Sequence, residues 1–210
     1  MIQGAIVEIC LTIILAIGAF WLGACPFAVW IGRWKLHKDI RAYGDHNPGA
    51  ANVFRAGSIK WGVVAGLIEV AKGMPFVMLA HLYFLLSEPQ IYLIALCPVA
   101  GHAFSPFLKF KGGKATAATF GVLLAIPPKE FILILIIILI IGFLLLEGDG
   151  WRIFLAVATC LIYAITAGKG IWLTLFLASI TVIIAFKNRG DLKSLPSRKK
   201  KIYIGFGQEK

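Results

Sequence analysis

An all-α, polytopic membrane bundle of about seven transmembrane helices is the fold this sequence predicts, on three observations. Of its 210 residues 60% are apolar and 15% charged, with a mean hydropathy of +0.87, a balance foreign to water-soluble domains. Its long apolar runs, such as "FILILIIILIIGFLLL" at 131–146, lack the polar alternation of barrel strands, so helices must satisfy the backbone in lipid. The 21 Lys and Arg residues, against 10 Asp and Glu, gather in a few segments between those runs.

The apolar runs fall at roughly 5–32, 61–86, 91–108, 115–127, 131–146, 153–167 and 171–186, which gives seven crossings with the first run read as one helix. The fourth and fifth are shorter than the ~20 residues a spanning helix needs; they tilt, or form one hairpin broken at Pro127-Pro128. Cytoplasmic loops collect basic residues. Arg33, Lys35, Lys38, Arg41, Arg55 and Lys60 follow the first run, Lys109, Lys111 and Lys114 follow the third, and Lys187, Arg189, Lys193 and Arg198 to Lys201 follow the last. The connections at 87–90, 128–130 and 168–170 hold only Lys129 and Lys169. The N-terminus is therefore expected outside and the C-terminus in the cytoplasm, with residues 1–190 as the bundle and 191–210 as a basic cytoplasmic tail.

The net charge of +11 lies on the face that meets anionic membrane lipid. Nucleic acid is excluded as a partner, since no soluble binding module accompanies the charge. Cys10, Cys25, Cys97 and Cys160 are scattered through apolar runs without metal-ligand spacing and read as small hydrophobes. "LGAC" at 22–25 lacks the basic leader and short apolar core of a processed signal.

Two polar islands interrupt the apolar sequence. In "YGDHNPGAANVFRAG", Tyr43 to Gly57, Asn47-Pro48-Gly49-Ala50 is a turn signal, with Gly49 expected at positive φ. A short helix from Ala50 would place Asn52 and Arg55 on one face. A glycine turn opening into a helix offers free N–H groups to an anion, and Arg55 adds a fork for phosphate oxygens. A solvated loop with incidental charges is the alternative.

In the second island, Gly101 to Gly121, Lys109, Lys111, Gly112, Gly113 and Lys114 precede an apolar helix. The glycines would let the backbone approach a ligand that the lysines neutralise; a membrane-anchoring basic loop is the alternative. It is not a nucleotide-binding phosphate loop, because Phe107 and Ala115 stand where Gly and Ser/Thr are needed. His102 suits a base, a donor or a satisfied bundle histidine. Glu69 and Lys72, one turn apart, are expected to neutralise each other.

In this order, on one face of a seven-crossing bundle, the islands resemble the bacterial membrane acyltransferases that move a fatty acyl group from acyl phosphate to glycerol 3-phosphate. The first motif of that family is matched by Gly44, Asn47, Gly49, Ala50, Asn52, Arg55 and Gly57, its second-helix residues by Glu69, Lys72 and Gly73, and its second motif by Gly101, His102 and Phe110 to Lys114. The third is met in register by "KNRGD", Lys187 to Asp191. The resemblance implies acyl phosphate and glycerol 3-phosphate as substrates, the bacterial inner membrane as location, a cytoplasmic site, and no cofactor or metal. It implies Arg55 and Lys114 on phosphate, Asn47, Gly49, Asn52, Lys111, Gly112, Gly113 and Arg189 as binding groups, and His102 in support. The chain departs from the family at Asp45, His46, Ala51, Ala115, Asn188 and Asp191. Asp45 and Asp191 would pair with Arg55, Lys114 or Arg189 and retune the site, or contact the hydroxyls of another small polar acceptor; Asp45 with His46 would supply a base. The remaining expectation is a non-catalytic lipid-phosphate binder or transporter.

Overall fold

The computed structural model describes residues 2–198. Of the expected tail, residues 199–210, with Lys199 to Lys201, lie outside them. Helix α1 (Ile2–Ala24) rises about 34 Å, enough to cross a bilayer unaided. It stops before Pro26, which has no N–H to continue the ladder, and the chain restarts as α2 (Phe27–Lys35). The first run is thus two helices, a break hidden in the sequence because the apolar character continues through it.

Three further helical stretches are long and apolar enough to span: Ile59–Tyr83, Glu88–Leu108 and Asp149–Thr166. The first comprises α4 (Ile59–Ala71), capped by Ser58 Oγ accepting from the Trp61 N–H at 3.2 Å, then α5 (Pro75–Met78) and a π-helical turn. Between α2 and α4 lies α3 (Ala50–Arg55). The next stretches contain α6 (Glu88–Ala103) and α9 (Asp149–Thr166). Helices α7 (Thr116–Ala125), α8 (Glu130–Leu145) and α10 (Ile171–Lys187) are shorter, and α11 (Arg189–Leu192) is a single turn. At 10 residues α7 rises about 15 Å, half the hydrocarbon thickness, so it and α8 are separate short helices flanking Pro127-Pro128.

Two glycine-lined seams position the site. A Cβ at Gly23 would strike the Pro98 backbone and one at Gly101 the Phe20 carbonyl, so α1 and α6 touch backbone to backbone, as small residues permit in lipid. A Cβ at Gly121 would strike the Val70 carbonyl and one at Gly73 the Ala118 carbonyl, which brings α4 equally close to α7. The main core, including Ile94, Leu135, Ile153, Leu177 and Ile180, joins α1 and α5 to α10. A separate small core of Ala28, Val29, Ile40, Val53, Ala56 and Ala65 unites α2, α3 and α4 into a cap beside the bundle. The first island folds in that cap, and the second crosses from α6 to α7.

Candidate active site

The first island bends where two residues take positive φ, Gly44 at +54° and His46 at +59°, and the His46 N–H donates to the Tyr43 carbonyl at 3.1 Å. Gly49, expected there, is instead extended at φ −102° and caps α3. The reason is that the reversal is made earlier, around Gly44, leaving 47–49 to run straight into the helix. Asn52 on α3 is fully buried; its amide donates to the Asn47 carbonyl at 2.8 Å and to Asp45 Oδ1 at 3.1 Å. One turn on, Arg55 donates to Asn52 Oδ1 at 2.8 Å and reaches Asp45 Oδ1 at 3.3 Å. Asn52 and Arg55 therefore share a face and together hold the Asp45 carboxylate.

Lys114 meets that carboxylate from the other island. Its Nζ lies 2.9 Å from Asp45 Oδ2 and 3.0 Å from Asp191 Oδ2. Burial opposes ionisation of Asp45, but the hydrogen bond and charge of Lys114 outweigh it, holding the carboxyl below the ordinary 3.8. Burial likewise works against the Lys114 ammonium, and Asp45 and Asp191 outweigh it, raising Lys114 above 10.5. Asp191 also accepts from the Gly150 N–H in the first turn of α9 at 3.1 Å, tying the end of the chain to α9. Residues up to Ser197 continue this attachment, with Trp151 donating to the Ser194 carbonyl and Glu147 N–H to the Ser197 carbonyl, both at 2.9 Å.

Beneath the two islands, Glu69 Oε2 lies 2.6 Å from Lys72 Nζ and 3.1 Å from His102 Nδ1, and Oε1 accepts from the Ala28 N–H at 3.1 Å. Lys72 also donates to the Cys25 carbonyl at 2.9 Å, across the break that Pro26 makes. The group pins α4, α6 and the α1–α2 corner together. The second island packs on it: a Cβ at Gly112 would strike the His102 carbonyl and one at Gly113 the His102 ring. The Gly113 N–H already donates to the His102 carbonyl at 3.0 Å, so that phosphate contact has another partner.

A cavity of about 650 Å³ runs over this floor. Its polar end is lined by Asp45, Asn47, Gly49, Glu69, His102 and Lys114, joined by Asp149 and Arg152; its apolar end is Phe120 with Leu139, Ile140, Phe143 and Leu144 of α8. Ile140, Phe143 and Leu144 are themselves exposed, so that end opens onto the outer face of the bundle. Arg55, Asn52 and Asp191 stand one residue behind the wall and touch those that line it. Lys111, Gly112, Gly113 and Arg189 do not line it: Lys111 is exposed, and Arg189 lies over the Phe186 ring at 4.5 Å. The Asp45–His46 base does not form, because His46 turns away and its Nδ1 lies 2.9 Å from the Arg41 carbonyl.

Asp149 and Arg152 went unrecognised in the sequence. They pair at 2.7 Å, Asp149 also lies 3.7 Å from Arg55, and Arg152 donates to the Leu146 carbonyl. The signal available was parity: the connection at 147–152 is one apolar run away from each of the connections at 128–130 and 168–170, hence expected on the side of the two islands. Its mixed signs, Glu147, Asp149 and Arg152, gave no basic excess to mark it.

The fold and the lipid-facing helices define an all-helical integral membrane protein. The profile of the family described as "Glycerol-3-phosphate acyltransferase" matches residues 13–197, and the chain belongs to that family. It is similar to glycerol-3-phosphate acyltransferases of Maridesulfovibrio salexigens, 34% identical over 183 residues covering 84% of this chain and 89% of the relative, and Listeria welshimeri, 31% identical over 181 residues covering 86% and 90%. Among solved structures it resembles the glycerol 3-phosphate form of PlsY (YgiH), an integral membrane glycerol 3-phosphate acyltransferase, with a TM-score of 0.79 at 26% identity, covering 87% of this chain and 90% of that one. The lysophosphatidic acid form of the same enzyme matches with a TM-score of 0.77 at 25% identity over the same shares.

Proposed function

We propose that this chain transfers a fatty acyl group from acyl phosphate to the hydroxyl of glycerol 3-phosphate, giving lysophosphatidate for phospholipid synthesis. Its place would be the inner membrane of a bacterium, the N-terminus outside and the polar end of the cavity facing the cytoplasm; the segregation of basic residues supports that orientation. The observation that carries the reading is one cavity with a charged end, where Lys114 and Arg152 stand among carboxylates, and an apolar, outward-opening wall at the other.

An acyl phosphate fits that polarity. Its phosphate would sit by Lys114 and the first N–H groups of α7, at Thr116 and Ala117, which have no preceding helical carbonyl to bond. Its tail would lie along Phe120, Leu139, Ile140 and Phe143. Being an activated mixed anhydride, it needs alignment and charge stabilisation rather than a covalent enzyme intermediate. The acceptor hydroxyl oxygen attacks the carbonyl carbon, the carbon–oxygen bond to phosphate breaks with its electron pair moving to the phosphate, and the hydroxyl proton leaves with that phosphate. Lys114 offsets the charge that develops. Asp45 occupies Lys114 and Arg55 until a substrate phosphate displaces it, and Arg152 supplies a further cation on the wall.

The Asp45–Lys114 pair also favours a second reading, in which the acceptor is a small polar molecule whose hydroxyls Asp45 would bind. Purified protein in vesicles, given palmitoyl phosphate with glycerol 3-phosphate, glycerol or no acceptor, separates the two. Phosphate release and lysophosphatidate formation dependent on glycerol 3-phosphate support the first; release with glycerol alone supports the second. No release with any acceptor overturns both.

A further inference from the structure

A second cavity, of about 490 Å³, lies behind the first. Arg33, Arg41, Lys109 and Lys111 face it, with His46 and Phe107. Asp39 is the acidic group beside them; it is held by Arg41 at 2.6 Å and Arg33 at 3.4 Å. The Lys109 and Lys111 ammonium groups have no acidic partner among the described residues. Four fixed cations against one carboxylate leave the cavity strongly positive, with two of the cations uncommitted.

Its depth is marked by aromatic rings. Phe107 packs edge-on to Trp21 at 5.7 Å and to Trp30 at 6.0 Å, and all three side chains are exposed on the outer face. Such rings settle at the headgroup level of a bilayer. The cations therefore lie where lipid phosphates lie, with an apolar edge leading towards the acyl chains. We propose that this cavity is a binding site for the phosphate-bearing headgroup of an anionic phospholipid, formed by Arg33, Arg41, Lys109 and Lys111 and edged by Phe107.

The segment 45–49 is a partition between the two cavities. Alternate residues face opposite ways: Asp45, Asn47 and Gly49 line the first, His46 and Pro48 the second. The 109–114 loop is divided in the same manner, with Lys109 and Lys111 on one side and Lys114 on the other. A headgroup in the second cavity thus presses on the wall that carries Asp45.

The test is lipid binding, which needs no acyl transfer and so stands apart from the proposed reaction. The full-length protein in neutral detergent is titrated with phosphatidylglycerol, and retained lipid is counted by native mass spectrometry. The Arg33→Ala/Lys109→Ala double variant should bind at least tenfold more weakly, while Lys60→Ala/Lys193→Ala, which removes equal charge from exposed sites elsewhere, should bind as the unaltered protein does. Equal loss in both variants would reduce the effect to general surface charge and overturn the site. Thermal unfolding without lipid checks that the variants are folded. Should inorganic phosphate displace the lipid at a matching concentration, the lipid assignment falls in favour of a free phosphate; phosphatidylglycerol binding that withstands phosphate supports it.

Discussion

The Asp45 carboxylate lies 2.9 Å from the Lys114 ammonium, joining two loops that the sequence separates by the whole of α3 to α6. Its second oxygen is held by Arg55 at 3.3 Å. In the proposed reaction a substrate phosphate competes with this carboxylate for both cations. Removing it by Asp45→Ser should lower KM for glycerol 3-phosphate roughly fivefold, from about 1 kcal/mol of repulsion at water-like screening. Steady-state kinetics over a range of acceptor concentrations measures this. An unchanged KM would mean that Asp45 withdraws fully when substrate enters.

Lys114→Ala should lower kcat at least about a hundredfold, the loss typical of one group that stabilises developing negative charge. Arg152→Ala, on the same wall, should act chiefly on KM. Full turnover in Lys114→Ala, with folding verified by thermal unfolding, would remove that residue from the site.

The pH response of the Asp45–Lys114 pair follows from the two directions. Asp45 titrates below its unfolded value of 3.8, so its stabilising contribution is present above 3.8 and lost as pH falls through the lower folded value. Lys114 titrates above its unfolded value of 10.5, so its contribution is complete below 10.5 and lost as pH rises through the higher folded value. Between those limits the pair should add no pH dependence to Tm. Under acid, the Tm of the unaltered protein should fall more steeply than that of Asp45→Asn. Parallel acid slopes would argue against the pairing.

Glu69→Ala should destabilise the fold by about 3–5 kcal/mol, because it leaves Lys72 buried without its carboxylate. Glu69→Leu combined with Lys72→Met should recover much of that loss. Thermal unfolding in detergent reads both. Recovery of stability without recovery of turnover would assign the buried group a positioning role through His102.

Gly112→Ala should cost about 1–3 kcal/mol, since the added methyl meets backbone at His102 and Ala103 that no rotamer change can move aside. Gly113→Ala meets the His102 ring, a side chain that can turn. It should therefore impair turnover more than stability. The opposite order, by activity and Tm together, would count against this packing.

Much of this was legible in the sequence where one local pattern implied one geometry. Asn52 and Arg55 share a face because they stand three positions apart on a helix, and Glu69 meets Lys72 by the same spacing. The departure at Asp45 pointed to Arg55 and Lys114, where its oxygens lie. Tertiary contacts were harder to foresee. Gly112 and Gly113 signalled close approach, but composition does not say whether a ligand or His102 makes it. Lys111 and Lys114 look equivalent in the sequence and face different cavities, because two residues of loop reverse a side chain. Arg189 lies in register with a motif, yet follows the end of α10 onto the surface beside Phe186. The break at Pro26 and the brevity of α7 concern where helices end, which uniform hydropathy conceals.

The cavity that begins among charges and ends against exposed α8 side chains has a kinetic consequence. In the proposed reaction one reactant is counted per volume of cytosol and the other per area of membrane. Diluting the donor with inert lipid, at a fixed amount in the tube, should slow turnover as surely as diluting the acceptor with water. The product, bearing the new chain, is already on the oily side of the boundary when the bond forms, so its release is a lateral step into the bilayer rather than a departure into solution.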